Sequence, residues 1–132
     1  GRNHRLGLDD AILIKDNHIA IAGNIPNAIA QAKQLGGHLI PIEIEVDTLE
    51  QLQQAIDAGA ELVLLDNMSP DTLSQAVALC KNHPSGRIKT EASGGITPDS
   101  VVAVAETGVD FIAMGYLTHS TTALDIGMDF SA

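Results

Sequence analysis

Aromatic residues and cysteines are scarce in this sequence. Of its 132 residues, none is Trp, one is Tyr and two are Phe, yet 45% are hydrophobic. An apolar core must therefore be built from Ala, Ile, Leu and Val. The single cysteine, Cys80, excludes an internal disulfide and gives no sign of export. We predict that it lies in the core on one face of a helix. The length suits one compact domain.

Basic residues are also few, because 7 Lys and Arg stand against 17 Asp and Glu, for a net charge of −10. This balance argues against nucleic acid or an anionic membrane surface as a partner. The sequence has no charged leader and no apolar run that could span a bilayer, so we expect a cytoplasmic protein. Arg2, Arg5 and Lys15 are nevertheless close together, beside His4 and His18, which predicts that an anion binds there.

Segments typical of strands and helices alternate along the chain. Strands are predicted from near residues 11, 39, 62, 88 and 111, and helices are predicted to begin near residues 25, 49, 70 and 97. Residues 68–73 resemble residues 96–101, and residues 59–63 resemble residues 108–112, as expected of a repeated β/α unit. The sequence therefore predicts an α/β fold with a parallel sheet.

Polar residues within the strands distinguish a barrel from an open sheet. Glu43, Glu45 and Asp47 alternate with aliphatic residues, and residues 87, 89, 91 and 93 form a second polar row. An open α/β sheet is covered by helices and is apolar on both faces, whereas a barrel strand turns one face to a lumen. Five units are too few for an eight-stranded barrel of about 250 residues. We therefore predict parallel β/α units that form part of an incomplete TIM-like barrel.

Residues that bind charged groups follow nearly every predicted strand, where α/β barrels place their active sites. These strand-end residues are Lys15, Asp16, Asn17, His18, Glu45, Asp47, Asp66, Asn67, Ser93, Gly94, Gly95 and the segment Gly115 to His119. Such a concentration of polar groups favours a ligand site over a purely structural role.

The glycine turn Ser93-Gly94-Gly95 precedes a predicted helix capped by Thr97. Exposed amides at such a turn can hold a phosphate, although an isolated turn of this kind is more often a tight bend. A second polar loop, Gly115 to His119, follows the next strand. Two such loops after consecutive late strands favour a phosphate site.

Two further groups have alternative interpretations. Glu45 and Asp66 could hold Mg²⁺, bind ribose hydroxyls or stabilise a cationic intermediate, or they could form lumen salt bridges with Lys15 or Lys89. The run Asn3-His4-Arg5 with Lys15 suits a ligand with carboxylates, or else it decorates a helix end. We expect His38 and His83 at the surface, and His18 has no assigned role.

Several motifs in order along the chain resemble the quinolinate phosphoribosyltransferase family. They are Asn3-His4-Arg5-Leu6-Gly7-Leu8, Leu13-Ile14-Lys15-Asp16-Asn17-His18-Ile19, Ile42-Glu43-Ile44-Glu45-Val46, Leu65-Asp66-Asn67-Met68, Glu91-Ala92-Ser93-Gly94-Gly95-Ile96, Gly108-Val109-Asp110-Phe111-Ile112, Gly115 to Ser120 and Leu124-Asp125-Ile126. The resemblance implies a type II phosphoribosyltransferase. Such an enzyme transfers the phosphoribosyl group of phosphoribosyl pyrophosphate to the ring nitrogen of quinolinate. It releases pyrophosphate and CO₂ and yields nicotinate mononucleotide for NAD biosynthesis.

The resemblance also implies roles for individual residues. Lys15, Glu45 and Asp66 would be catalytic, and Glu45 and Asp66 would face the ribose and the cofactor Mg²⁺. The carboxylates of quinolinate would be bound by His4, Arg5 and Lys15. The phosphate would be bound by Ser93, Gly94, Gly95, Gly115 and His119.

The family has a segment rich in Arg and Lys ahead of the Asn-His-Arg motif, and an amino-terminal domain that helps to close the acceptor pocket across a dimer. We therefore expect residues 1–132 to be the carboxyl-terminal portion of the barrel domain, inactive alone, from a parent that forms a homodimer or a larger homo-oligomer. Three alternatives are a molybdenum-operon homologue of the same fold, another phosphate-binding barrel enzyme, and a non-catalytic assembly module.

Overall fold

A parallel five-stranded sheet forms the centre of the protein in a computed structural model that describes residues 1, 3, 5–7, 9–84, 88–120 and 122. The strands are β1 (Ile12–Ile14), β2 (Ile42–Val46), β3 (Leu62–Asp66), β4 (Lys89–Ser93) and β5 (Phe111–Ile112). They lie side by side in sequence order, and every neighbouring pair is parallel. The predicted α/β class and parallel sheet are therefore confirmed.

Six helices connect or follow the strands in the described part of the chain. They are α1 (Asp16–Ala22), α2 (Ile25–Gly36), α3 (Leu49–Asp57), α4 (Pro70–Lys81), α5 (Val101–Glu106) and α6 (Tyr116–His119). Helices α1 and α6 were not predicted. They are 7 and 4 residues long and fully bury no residue, so the periodic pattern by which a helix is recognised in a sequence is weak in both. None of the described helices is long and apolar enough to cross a membrane.

Side-chain caps begin three of the predicted helices, at Asn24, Thr48 and Ser69. The Asn24 side chain accepts from the Asn27 backbone amide at 2.8 Å, and Thr48 Oγ1 accepts from that of Gln51 at 3.1 Å. Thr48 and Gln51 have the spacing of a capping box, but Gln51 Oε1 accepts from the amide of Asp47 at 2.9 Å rather than from that of Thr48. These bonds satisfy amides that the first helical turn leaves unpaired.

Helix α5 begins later than predicted. The Thr-Pro-Asp sequence at 97–99 suggested a helix start, but residues 98–100 form a turn and the helix begins at Val101. The Thr97 amide donates to Ser100 Oγ at 3.0 Å, and the Val101 amide donates to the Thr97 carbonyl at 2.9 Å. The prediction of the start at Thr97 was therefore wrong, because Thr97 and Ser100 close a separate turn.

The two faces of the sheet differ, as the alternation in the strands predicted. The side chains of one face pack against the helices and form the apolar core, which includes Ile14, Ile44, Val46, Val63, Leu65 and Ala92 together with helix residues such as Ile29, Leu52, Leu73 and Cys80. The opposite face carries the residues that alternate with them, including Glu43, Glu45, Leu64, Asp66 and Glu91. Cys80 is buried in the core, as predicted.

Truncating a leucine of α3 tests this placement of the core. Leu52 is 0% exposed and Leu35, at the end of α2, is 86% exposed. We expect Leu52→Ala to lower the free energy of unfolding by about 2–5 kcal/mol, because it leaves a cavity in the core. The matched variant Leu35→Ala should change it by less than about 0.5 kcal/mol. Urea unfolding followed by circular dichroism measures both, and equal losses would contradict the core described here.

Candidate functional site

The predicted catalytic residues lie at the carboxyl ends of β1, β2 and β3. Lys15 directly follows β1, Glu45 is the fourth residue of β2 and Asp66 ends β3. Lys15 Nζ donates to Glu45 Oε2 at 2.7 Å, and the exposed fractions of the two side chains are 51% and 19%. The ion pair that the salt-bridge interpretation anticipated is therefore present, between residues that the resemblance assigns to the site.

The charge of Asp66 also acts on Lys15, so Asp66 belongs to the same cluster of charged residues as Lys15 and Glu45. The hydrogen bond to Glu45 raises the pKa of the Lys15 ammonium above its ordinary value of 10.5. Partial burial acts in the opposite direction, and the charges of Glu45, Asp66 and Asp16 add to the rise. The ammonium thus lies in the field of three carboxylates. It offsets the repulsion that would otherwise oppose gathering Glu45 and Asp66 at one edge.

The turn at residues 93–95 is joined to the end of β3. The backbone amide of Asn67 donates to the Ser93 carbonyl at 2.9 Å. Gly94 and Gly95 both have positive φ, 94° and 60°, which favours glycine. A Cβ atom on Gly94 would lie 2.8 Å from the Asn67 amide nitrogen, whereas one on Gly95 would meet nothing within 4 Å. Gly94 is therefore needed for close packing, and the turn is open to solvent at Gly95.

The second predicted phosphate loop contains α6. The His119 ring lies against Gly115, since a Cβ on Gly115 would be 3.2 Å from His119 Nε2. The other ring nitrogen, Nδ1, is 3.2 Å from Ser120 Oγ. Gly115 and His119 follow β5, and the turn at 93–95 follows β4, its neighbour in the sheet. The two candidate phosphate loops therefore extend from adjacent strands at one edge.

The cationic residues near the start of the chain are not all placed. His4 lies outside the described residues, and Arg5 is exposed with no hydrogen bond or ion pair to another described residue. His18, which had no predicted role, accepts from the Lys15 backbone amide through Nδ1 at 2.9 Å and so stabilises the start of α1. His38 is exposed as predicted. His83 is partly exposed and has an interaction partner.

Glu43 is a residue that the sequence analysis placed on this face without giving it a role. It is 8% exposed, and its Oε1 has no hydrogen-bond partner among the described residues. Burial, together with the charges of Glu91 and Glu45, raises the pKa of the Glu43 carboxyl from 4.5 to about 7. The polar residues of β2 predicted that one face of the strand turns to a lumen. They did not indicate that Glu43 would be buried on that face.

The carboxylates at the edge suit a metal ion only in part. Carboxylate oxygens are ligands that Mg²⁺ prefers, and Mg²⁺ often takes just one or two of them together with waters and substrate phosphates. No group of three or more His, Cys, Asp or Glu side chains is placed to hold a metal within the described residues. Glu45 and Asp66 therefore suit a Mg²⁺ ion that binds together with a polyphosphate ligand. They do not suit an ion held permanently by protein side chains alone.

A cavity of about 480 Å³ lies near the starts of β2 and β3, at the opposite end from the strand-end residues. Lys33, His38 and Glu61 are among the residues that line it. None of the predicted site residues contributes to it. This cavity is therefore separate from the candidate site.

Comparison with known proteins identifies relatives for nearly the whole chain. A family model described as "Quinolinate phosphoribosyl transferase, C-terminal domain" matches residues 1–129. A Bacillus subtilis protein named "Probable nicotinate-nucleotide pyrophosphorylase [carboxylating]" is 51% identical over 129 residues, which are 98% of this chain and 43% of that protein. The chain therefore spans less than half the length of this relative.

Solved structures share the fold. The nicotinate-nucleotide pyrophosphorylase from Francisella tularensis is 47% identical, with a TM-score of 0.80 over 89% of this chain and 40% of that one. Thiamine phosphate pyrophosphorylase from Pyrococcus furiosus is 23% identical, with a TM-score of 0.60 over 80% of this chain and 48% of that one, a likeness of fold alone. With the parallel sheet, these matches confirm the predicted fold class, part of a TIM-like barrel.

The buried carboxyl of Glu43 makes a prediction about stability and pH. Folded, Glu43 keeps its proton up to a pH of about 7, whereas its ordinary pKa is 4.5. The folded state therefore binds more protons between these values, and stability falls as pH rises through this window, by at most about 3 kcal/mol. We expect Glu43→Gln, which stays neutral, to flatten this fall.

Urea unfolding at a series of pH values from 4.5 to 7.5 measures the effect. Glu106→Gln, at the exposed end of α5, is the control and should keep the slope of the unsubstituted protein. An unchanged slope in Glu43→Gln would show that Glu43 ionises normally in the folded chain.

Proposed function

This chain belongs to the family described as the quinolinate phosphoribosyl transferase C-terminal domain, and from that membership we propose that it carries most of the catalytic residues of a carboxylating nicotinate-nucleotide pyrophosphorylase. The reaction transfers the phosphoribosyl group of phosphoribosyl pyrophosphate to the ring nitrogen of quinolinate. Pyrophosphate and CO₂ are released, and nicotinate mononucleotide is formed for NAD biosynthesis. The name of the Bacillus subtilis relative supports this assignment.

The observation that carries the proposal is the ion pair of Lys15 and Glu45 in the field of Asp66. The reaction needs negative groups beside the ribose, where positive charge develops, and positive groups beside an acceptor with two carboxylates. A Lys ammonium has three donors, and Glu45 uses one of them. Lys15 can therefore bind an acceptor carboxylate while it still holds Glu45.

Glu45 and Asp66 are proposed to face the ribose. Their carboxylates stabilise positive charge as the bond to pyrophosphate breaks, and they are held at neighbouring strand ends before the ligand arrives. His4 and Arg5 are proposed to bind quinolinate with Lys15, in keeping with their place in the Asn-His-Arg motif. Preorganisation of this kind contributes by fixing the orientation of two reactants.

The phosphate of the phosphoribosyl group is proposed to bind between the turn at residues 93–95 and the loop of Gly115 and His119. The turn is open at Gly95, and the two segments follow neighbouring strands. Backbone amides and Ser93 would donate to the phosphate oxygens. Glu45 and Asp66 would hold Mg²⁺, which neutralises charge on the pyrophosphate when it is bound.

The remainder of the enzyme is proposed to lie outside these residues. The chain covers 43% of the Bacillus relative, and the five strands of its described residues are fewer than the eight that close a barrel. We propose that residues 1–132 are the carboxyl-terminal portion of the barrel domain and are inactive alone. The longer protein is proposed to be cytoplasmic and to act as a homodimer or a larger homo-oligomer.

Asp66→Asn tests the proposed function in the longer protein that contains this chain. The unsubstituted enzyme should convert quinolinate and phosphoribosyl pyrophosphate to nicotinate mononucleotide with Mg²⁺. We expect Asp66→Asn to lower turnover by about a hundredfold or more and to raise the Mg²⁺ requirement, because a negative group beside the ribose is lost. Stability should stay within about 1 kcal/mol, since repulsion from Glu45 falls as attraction to Lys15 is lost.

Product formation measured across a Mg²⁺ titration, alongside thermal unfolding, decides the outcome. Asp57→Asn, at the far end of α3, is the control and should behave as the unsubstituted enzyme. A destabilised Asp66→Asn variant with an unchanged Mg²⁺ profile would show that the carboxylates are structural. No turnover by the unsubstituted enzyme would reject the function itself.

Lys15→Met separates the two substrates. A contact between an ammonium and a carboxylate is worth roughly 1.5–3 kcal/mol, so affinity for quinolinate should fall by about ten- to a hundredfold. Affinity for phosphoribosyl pyrophosphate should fall less, because Lys15 reaches that ligand only through Glu45. Calorimetric titration with each ligand measures this, with Lys81→Met at the end of α4 as the control. Equal losses for both ligands would mean that Lys15 only supports the structure.

A further inference from the structure

Asn67 has an unusual backbone conformation at the edge that carries the site. Its φ is 52°, and no other described residue except glycine has a positive φ. Asn tolerates the left-handed region better than most residues do, but a side chain other than glycine there still calls for an explanation. Glycine would satisfy the backbone at no steric cost. The contacts of the Asn67 side chain therefore bear on why Asn rather than glycine occupies this position.

Asn67 makes contacts with two separate segments, the end of β3 and the turn after β4. On one side its Nδ2 donates to Asp66 Oδ2 at 2.6 Å. On the other its backbone amide donates to the Ser93 carbonyl, and its Cγ lies so close to Gly94 that a Cβ there would be only 2.6 Å away. Asn67 thus touches both the carboxylate at the end of β3 and the glycine turn after β4.

We propose that Asn67 is a positioning residue for phosphoribosyl transfer, which fixes the carboxylate of Asp66 relative to the turn at residues 93–95. This inference rests on the proposed function, in which Asp66 faces the ribose and the turn holds the phosphate of the same ligand. The distance between ribose and phosphate is set by covalent bonds in that ligand. The two protein groups must therefore keep a matching separation, and a freely rotating Asp66 would lose part of the orientation.

Three substitutions separate the backbone role of Asn67 from its side-chain role. Asn67→Gly keeps the left-handed backbone and removes the amide donor. Asn67→Asp keeps the shape and tolerates the same φ, but it replaces the donor by an oxygen that repels Asp66. Asn67→Ala removes the donor and also strains the backbone.

Steady-state kinetics in the longer protein provides the first measurement. We expect Asn67→Gly to remain as stable as the unsubstituted protein while kcat falls by about ten- to a hundredfold, the effect of losing a hydrogen bond to a charged group. Asn67→Asp should be at least as impaired. Asn82→Gly, an equivalent change at the end of α4, should leave kcat unchanged. If Asn67 serves the backbone alone, Asn67→Gly will be fully active, and that result would overturn the proposal.

A double-mutant cycle tests whether Asn67 acts through Asp66. Binding of phosphoribosyl pyrophosphate with Mg²⁺ is measured by calorimetry for Asn67→Gly, Asp66→Ala and the double variant. The effect of Asn67→Gly should disappear once Asp66 is absent, because the group it orients is gone. Additive losses would mean that Asn67 touches the ligand directly, and they would refute a positioning role.

The orientation of Asp66 can also be measured without any activity. Scalar couplings across χ1 of Asp66, recorded by NMR on this chain, should indicate one rotamer in the unsubstituted protein and an average over rotamers in Asn67→Gly. Averaging already present in the unsubstituted protein would overturn the proposal. Should the longer protein show no turnover, the proposed function fails on that result, while the couplings still decide whether Asn67 orients Asp66.

Discussion

Repulsion between carboxylates at one edge of a parallel sheet is the constraint on which the site depends. The register of β2, β3 and β4 gathers Glu45, Asp66 and Glu91 on a single face, because side chains alternate and parallel strands end together. Lys15, held 2.7 Å from Glu45, supplies the opposite charge. The other face is apolar and buried under helices, so a shift of one residue in register would expose the core and bury the charges.

The depth of a carboxyl on this face decides its ionisation. Glu43 and Glu45 are two residues apart on the same strand and the same face. Glu45 lies near the edge and pairs with an ammonium, whereas Glu43 is deeper and has an oxygen without a partner among the described residues. The cost of desolvating a charge is met by pairing in the first case and by a pKa of about 7 in the second.

Most of the fold followed from local signals in the sequence. Strands were predicted near residues 11, 39, 62, 88 and 111 and helices near residues 25, 49 and 70, and the structure has β1 to β5 and α2, α3 and α4 near these positions. The elements that were not predicted correctly share a physical cause. Helices α1 and α6 are short and fully bury no residue, and the late start of α5 depends on hydrogen bonds between Thr97 and Ser100 that compete with the helix. Where the local sequence preference for a helix is weak, contacts with other residues therefore decide whether the helix forms and where it begins.

For the site, the sequence by itself determined which side chains end the strands, and its motifs named the family to which the chain belongs. Lys15, Glu45, Asp66 and the turn at residues 93–95 were all found in this way, because a repeating β/α unit brings strand ends to one edge. Only the tertiary structure decided that Lys15 pairs with Glu45, that Glu43 is buried, and that Asn67 joins Asp66 to Gly94. Such pairings depend on burial and on distances between strands remote in sequence, which no local pattern records.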